Sequence, residues 1–303
     1  MMPLSLALSL LLQSAPAPAP RAATSASTAA AQDPVAAQKA WHQERLKRLT
    51  AEDGWLTLVG LHWLKEGDSV VGSAQGSDIR LPASSPAVVG TLAREGKFVT
   101  FTPKKGVEVR LDGKPFLGGP IGSDISGKPD VLEVGSVRFY LIARGGRLGV
   151  RVRDTASTAR RSFKPIPLFP YNPAWRVEAR LEASATPKKL AVPNIIGTVE
   201  EMPSPGTLVF THAGKEYRLT PVVEEGDDSL FLIFADQSNR TESYASGRFL
   251  SVPMPVDGKT VIDFNRATNP PCAFTRFATC PLPRRQNRLA VRVEAGEKRA
   301  GGH

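Results

Sequence analysis

Asp263, Asn265, Asn269 and Cys272 fall within ten residues of one another, and Cys280 follows in "DFNRATNPPCAFTRFATCPLP". The stretch holds one acid, two amides and both thiols of the chain. On a strand, Asp263 and Asn265 share a face and Phe264 turns into the core. Asn269-Pro270-Pro271 then leads the chain out of the sheet, extended and short of two donors. A rigid exit of this kind can hold side chains at the mouth of a barrel, where small-molecule sites form. Equally, Asp263 and Asn265 suit the capping of turns. Tyr244 and Arg248, in "SYASGRFL", are further candidates. Arg248 opens an apolar strand and is placed to meet a carboxylate, that of Asp263 or of a ligand, in a bidentate pair. Arg151 and Arg153 alternate with Val150 and Val152 and so share the opposite face of their strand.

A pocket of Tyr244, Arg248, Asp263, Asn265 and Asn269, with positive charge from Arg151 and Arg153, suits a small polar or anionic ligand. It has one carboxylate and no histidine base, which suits binding at least as well as catalysis. In the alternative, a hydrolase or lyase, Asp263 is the general base, Arg248 stabilises charge and Tyr244 assists. A structural or interaction module of the cell envelope is a third reading, in which the same motifs serve packing.

Cys272 and Cys280 are the only cysteines, seven residues apart. A Cys272–Cys280 disulfide fits the even count and an oxidising compartment, and closing so small a loop contributes about 2–3 kcal/mol. Seven intervening residues do not make a standard zinc pair, and no metal site or other cofactor is expected. Arg276, Arg284 and Arg285 leave open a reactive thiolate, and two inert buried thiols are a fourth possibility.

These residues need a scaffold, and the composition says which kind. The chain has 303 residues with 26 Gly and 26 Pro, 41% hydrophobic and 22% charged residues. That supports a buried core and a turn-rich, mainly β fold. The net charge of +10 favours anionic partners. Nucleic acid is not among those expected, because no aromatic-rich binding face accompanies the basic residues between Arg151 and Lys164. Leu4 to Leu12 is an apolar run of signal-peptide length, followed by an Ala/Pro-rich stretch. Residues 1–31 are therefore read as an export signal and tether, with the mature protein in the periplasm or outside the cell. No later stretch is long and apolar enough to span a membrane. Oligomeric state leaves no trace in the sequence. P-loop, nucleophile-elbow, zincin and EF-hand signatures are absent.

Asp33-Pro34 starts a helix, with Val35, His42, Leu46 and Leu49 on one stripe and an end near Asp53-Gly54; residues 33–53 form this element. Trp55 and Trp63 read as core. Short alternating strands then follow, with hairpin turns at Leu111-Asp112-Gly113-Lys114 and Arg144-Gly145-Gly146-Arg147. They make a first β module over residues 54–164. A proline-rich connector leads to a second over residues 165–299, which carries the Asn-Pro-Pro-Cys segment. Each module is sandwich- or barrel-like.

The first module partly resembles a forkhead-associated domain, in "VVGSAQGSDIRLP" and "VEVRLDGKPF". Ser73 stands where that family has its phosphothreonine-reading Arg, and no His follows Ser84-Ser85. The resemblance implies a sandwich, without phosphopeptide reading. Five motifs in order, "DGWLTLVGLHWLKEGDSVVGS", "RFYLIARGGRLGVRVRD", "VPNIIGTVEEMPSPG", "SYASGRFL" and the Asp263 segment, resemble the bacterial and archaeal family termed domain of unknown function 1684 over about Asp33 to Lys298. That resemblance implies no particular reaction.

Overall fold

Pro34 opens helix α1 (Pro34–Thr50), where its missing N–H costs no hydrogen bond. Lys47 and Arg48 lie in the last turn, at the negative end of the helix dipole. The buried stripe is Gln38, His42 and Leu49, whereas Val35, expected on it, is exposed. Gln38 is drawn inward by a hydrogen bond from its Nε2 to the Asn265 carbonyl. The helix also ends three residues early, at Thr50. A turn from the Ala51 carbonyl to the Gly54 amide follows. Gly54 packs so closely that a Cβ there would lie 2.3 Å from the Leu49 carbonyl oxygen.

The computed structural model describes residues 33–300 except Glu225. The expected export signal and tether, residues 1–31, lie outside the described residues. From Pro34 onward the described chain is one compact unit, mainly β, with the helix at its N-terminal end.

In chain order the first strands are β1 (Leu58–Trp63), β2 (Gly67–Gly72), β3 (Ile79–Arg80), β4 (Gly90–Glu95), β5 (Phe98–Pro103), β6 (Arg110–Leu111), β7 (Lys114–Pro115), β8 (Gly119–Pro120), β9 (Leu132–Val134), β10 (Val137–Arg144) and β11 (Arg147–Asp154). They form two sheets, ordered β1-β11-β10-β9-β6-β7 and β3-β2-β4-β5-β8. Val71, Leu92 and Phe101 from one sheet and Phe139, Val150 and Val152 from the other share a single core. The Phe101 and Phe139 rings meet edge to face at 5.6 Å, an arrangement aromatic quadrupoles favour. The module is thus a sandwich. Its turns are those the sequence implies: Asp112 and Gly113 both have positive φ, as do Gly145 and Gly146, which matches the twist of the flanking strands.

After a short helix α2 (Thr158–Arg161) come β12 (Arg176–Pro193), β13 (Val199–His212), β14 (Lys215–Leu219), β15 (Ser229–Phe234), β16 (Arg248–Pro253) and β17 (Lys259–Asp263). One sheet is ordered β14-β13-β12-β17, and β15 pairs with β16. Phe264 is the centre of their common core. Its ring lies 5.5 Å from Trp175, 5.6 Å from Phe210 and 5.4 Å from Phe234.

A smaller apolar cluster forms the frame of the site. Leu49 of α1, Leu56, Ile166, Ala273 and Phe274 are buried together, with Trp55 and Tyr244 against them. It fixes the helix, the entry to β1 and the Asn-Pro-Pro-Cys segment to one another. Trp55 and Trp63, expected in the core, are only half-buried. Each instead stacks with arginine: Trp63 lies 4.0 Å from Arg147, and Trp55 lies 5.6 and 5.5 Å from Arg151 and Arg153.

Candidate anion-binding site

Alternation on β11 sends Val150 and Val152 into the sandwich core and turns Arg151 and Arg153 to its other face. Arg153 is fully engaged there. Its Nε donates to the Tyr140 hydroxyl at 3.0 Å, and one terminal nitrogen donates to the Gly54 carbonyl at 2.6 Å and the Thr57 hydroxyl at 3.1 Å. Arg151 differs. It is only 6% exposed; its Nη2 makes a 3.3 Å contact to the Thr279 hydroxyl, and its guanidinium also lies against the Tyr140 hydroxyl. Its Nε has no partner, and no carboxylate among the described residues pairs with it. Burial pushes its pKa down, Tyr140 partly offsets this, and the nearby cations Arg144 and Arg153 act with burial.

Arg151 borders a cavity of about 610 Å³. Thr279, Cys280 and Asn269 line it from the Asn-Pro-Pro-Cys segment, and Met202, Phe231 and Phe249 supply its apolar wall. Two further arginines reach it but are already neutralised: Arg45 pairs with Glu297 at 3.2 Å, and Arg144 with Asp124 at 2.7 Å. Asn269 is held on three sides. Its amide donates to Glu297 at 2.6 Å, its Nδ2 donates to the Lys298 carbonyl at 2.8 Å, and its own carbonyl accepts from Arg45 at 2.9 Å. Its Oδ1 is buried with no partner. Two carboxylates, Glu200 and Glu224, complete the lining. Burial first, then Asp227 and Glu200, raise the pKa of Glu224. A second cavity of about 660 Å³ adjoins along Arg45, Trp55 and Thr268, and Arg153 lines it. A further hollow of about 660 Å³ lies on the outer face of the β12–β13 sheet, but its Arg180 and Glu216 are already ion-paired to each other.

The segment that carries Thr279 and Asn269 is stitched to distant parts of the chain. Thr275 donates to the Leu58 carbonyl at 2.9 Å, Asn194 to the Thr279 carbonyl at 2.8 Å, and Tyr244 to the Cys272 carbonyl at 2.9 Å. Both cysteines are free thiols, in place of the expected Cys272–Cys280 disulfide. They are neighbours nonetheless, with the Cys272 amide 3.1 Å from the Cys280 sulfur. Their mutual hydrogen bond lowers the pKa of Cys272 and raises that of Cys280.

The structure therefore divides the residues singled out in the sequence. Arg151 and Asn269 line one cavity, and Arg153 lines its neighbour. Tyr244, Arg248, Asp263 and Asn265 are not part of either. Arg248 is 0% exposed and pairs with Asp236 at 2.8 Å, not with Asp263, while it also donates to the Val293 carbonyl. Asp263 does not share a strand face with Asn265, because β17 stops and a 3-10 turn spans Phe264–Arg266. Its Oδ1 caps that turn, accepting from the Asn265 amide and Nδ2 at 3.1 and 3.0 Å. Asn265 clamps Asn172 through both the backbone N–H and carbonyl, at 2.9 and 3.0 Å. Tyr244 braces the Cys272 backbone, and burial raises its pKa. The proposed Tyr244–Arg248–Asp263 constellation is thus not assembled.

Thr279, Arg45, Glu200 and Glu224 belong to the lining and were not singled out in the sequence, and Trp55, which also lines it, was read there as core. Thr279 lies in the segment that drew attention, and Glu200-Glu201 lies within the motif "VPNIIGTVEEMPSPG". Neither position carries a local signal, because each reaches the cavity only together with residues far away in the chain.

No curated protein matches the chain. Among solved structures, an uncharacterised protein of Haloarcula marismortui is 29% identical, covering 48% of this chain and 81% of its own, with a TM-score of 0.40. The FhaA FHA domain, solved in complex with the intracellular domain of Rv3910, is 16% identical over 30% of this chain and 86% of its own, with a TM-score of 0.22. The cytoplasmic domain of the type III secretion sorting-platform protein PscD of P. aeruginosa is 20% identical over 31% of this chain and 69% of its own, with a TM-score of 0.20. The model of the family described as protein of unknown function (DUF1684) matches residues 161–298. That stretch contains Asn269, Thr279, Glu200, Glu224 and both cysteines, while Arg151 lies just before it. Over residues 161–298 this chain is similar to the DUF1684 family.

Proposed function

We propose that this protein binds a small anionic ligand, with a carboxylate or phosphate group, in the cavity of Arg151, Thr279 and Asn269. One observation carries the reading: a buried guanidinium opens on a cavity, ion-paired to neither of the glutamates that line it and with Nε unpartnered. Arginine stays protonated in proteins. Burying such a charge without a counter-charge costs several kcal/mol, which an incoming anion offsets through a forked, charge-assisted contact. A volume of about 610 Å³ falls within the range of about 300–1,000 Å³ usual for small-molecule sites. The net charge of +10 draws anions toward the surface. Export is part of the same proposal, with the ligand met in the periplasm or outside the cell, and cell fractionation with an antibody to the chain checks it.

The test is calorimetric titration of inorganic phosphate and of succinate into the purified chain in anion-poor buffer. Saturable binding of at least one is expected, and Arg151→Gln, with an unchanged circular dichroism spectrum, should abolish it. Equal binding by wild type and Arg151→Gln, or none by wild type, rejects the reading.

A further inference from the structure

We infer that the ligand is bipolar, carrying a protonated amine as well as its anionic group, with Glu200 and Glu224 receiving the amine. This rests on the anion-binding reading and adds the chemical class of the ligand. Glu200 and Glu224 line the same cavity as Arg151. Neither carboxylate makes an ion pair or side-chain hydrogen bond within the described residues. Arg151 and the glutamates do not compensate each other either. Arg151 is influenced by Tyr140, Arg144 and Arg153, and Glu224 by Asp227 and Glu200. One cavity therefore presents a cation and two acids that form no ion pair with one another.

Asn269 supplies an independent observation. The bond from its Nδ2 to the Lys298 carbonyl fixes which way the amide faces. The Oδ1 is therefore an acceptor, in a residue 1% exposed, with nothing to accept from. Buried acceptors in native proteins are nearly always paired, so this one calls for an N–H or O–H of the ligand. A simple anion would engage Arg151, leave the Asn269 Oδ1 without a donor and leave both glutamates without a counter-charge. A short aliphatic chain with an anion at one end and an ammonium at the other engages all of them. Met202, Phe231 and Phe249 provide apolar surface for its carbon chain. Aliphatic amino acids and aminoalkyl phosphates are the two forms of this chemistry.

The experiment compares matched probes by calorimetry on the purified chain at pH 7: 5-aminopentanoate with pentanoate, and phosphoethanolamine with ethyl phosphate. In at least one pair the amine-bearing probe should bind about ten-fold or more tightly, the worth of one charge-assisted contact. In the Glu200→Gln/Glu224→Gln variant that preference should fall to within about two-fold, with the amine-free probe still bound. Arg151→Gln should lose both members of the pair. No amine preference in either pair, or a preference that survives the double glutamine variant, overturns the inference and leaves the anion reading standing. If none of the four probes nor inorganic phosphate binds, the anion reading itself fails.

Discussion

Arg151→Met and Arg248→Met remove the same charged group from two buried places, and the structure assigns them different costs. Arg248 and Asp236 both have fully buried side chains and are 2.8 Å apart. Met at 248 strands the Asp236 carboxylate, which costs about 3–5 kcal/mol. Arg151 strands nothing when removed. It gives up one long hydrogen bond to Thr279, its contact with the Tyr140 hydroxyl and its place near the Trp55 ring, together about 2–4 kcal/mol. Against that, the several kcal/mol of its own desolvation disappears. Arg151→Met should therefore leave stability unchanged within about 1 kcal/mol or raise it. In a chain of this size 1 kcal/mol moves Tm by about 2 °C. The expected result, by scanning calorimetry in buffer free of phosphate and carboxylate, is a drop of about 6–10 °C for Arg248→Met and less than about 2 °C for Arg151→Met. Ligand at a hundred times its Kd should then stabilise wild type by about 2.7 kcal/mol and Arg151→Met not at all. If Arg151→Met falls as far as Arg248→Met without anions, and anions raise both proteins equally, Arg151 is a structural residue and the argument for the site collapses.

Asn265→Ala removes the clamp on both backbone groups of Asn172 and its bond to Asp263. It should cost about 2–4 kcal/mol by urea unfolding yet leave anion affinity unchanged; a loss of affinity at preserved fold would return Asn265 to the site. Cys272 is half-exposed with a lowered pKa, whereas Cys280 is 3% exposed with a raised one. Brief iodoacetamide treatment of the native reduced protein should therefore label Cys272 first, as read by peptide mass, and Cys280→Ser should slow that labelling; prior labelling of Cys280 contradicts the geometry. His42 and His62 have pKa values lowered from 6.5, mainly by burial. The unfolded chain then binds protons that the folded chain refuses, so stability falls as pH drops through about 6.5 toward the lowered values. His42→Gln should flatten that part of the stability curve, and an unaltered curve would remove His42 from the account. Glu224 has the opposite sign. Its raised pKa means that protonation precedes that of an ordinary glutamate as pH falls, so a purely anionic probe should bind more tightly below that pKa, and Glu224→Gln should abolish the dependence.

The strands and turns were legible because their signals are local. A period of two in "GVRVRD" is enough to send Val150 and Val152 inward and Arg151 and Arg153 outward. Asp112-Gly113 and Gly145-Gly146 adopt the positive φ their residues permit. Phe264 could be assigned to the core from one position's context, and it is the ring on which three others converge. The roles of the polar residues were not legible in the same way. Asp263 and Asn265 carry the same side chains whether they cap a turn or face a ligand. What separated the two was the end of β17 two residues earlier than an alternating strand requires.

Arg248 and Arg151 make the same point about charge. Each begins or interrupts an apolar strand, and nothing local distinguishes them. The difference is that Asp236 comes within reach of one and no acid within reach of the other. Composition, alternation and turn chemistry by themselves determined a mainly β chain with a leading helix and a positively charged face on β11, because those depend on neighbours in sequence. Which buried charges are paired was decided only by the tertiary structure. Thr279 lies 128 positions from Arg151, and Arg45 lies 224 from the Asn269 carbonyl it holds. An unpaired charge is a property of everything packed around it, and so is the cavity that it opens on.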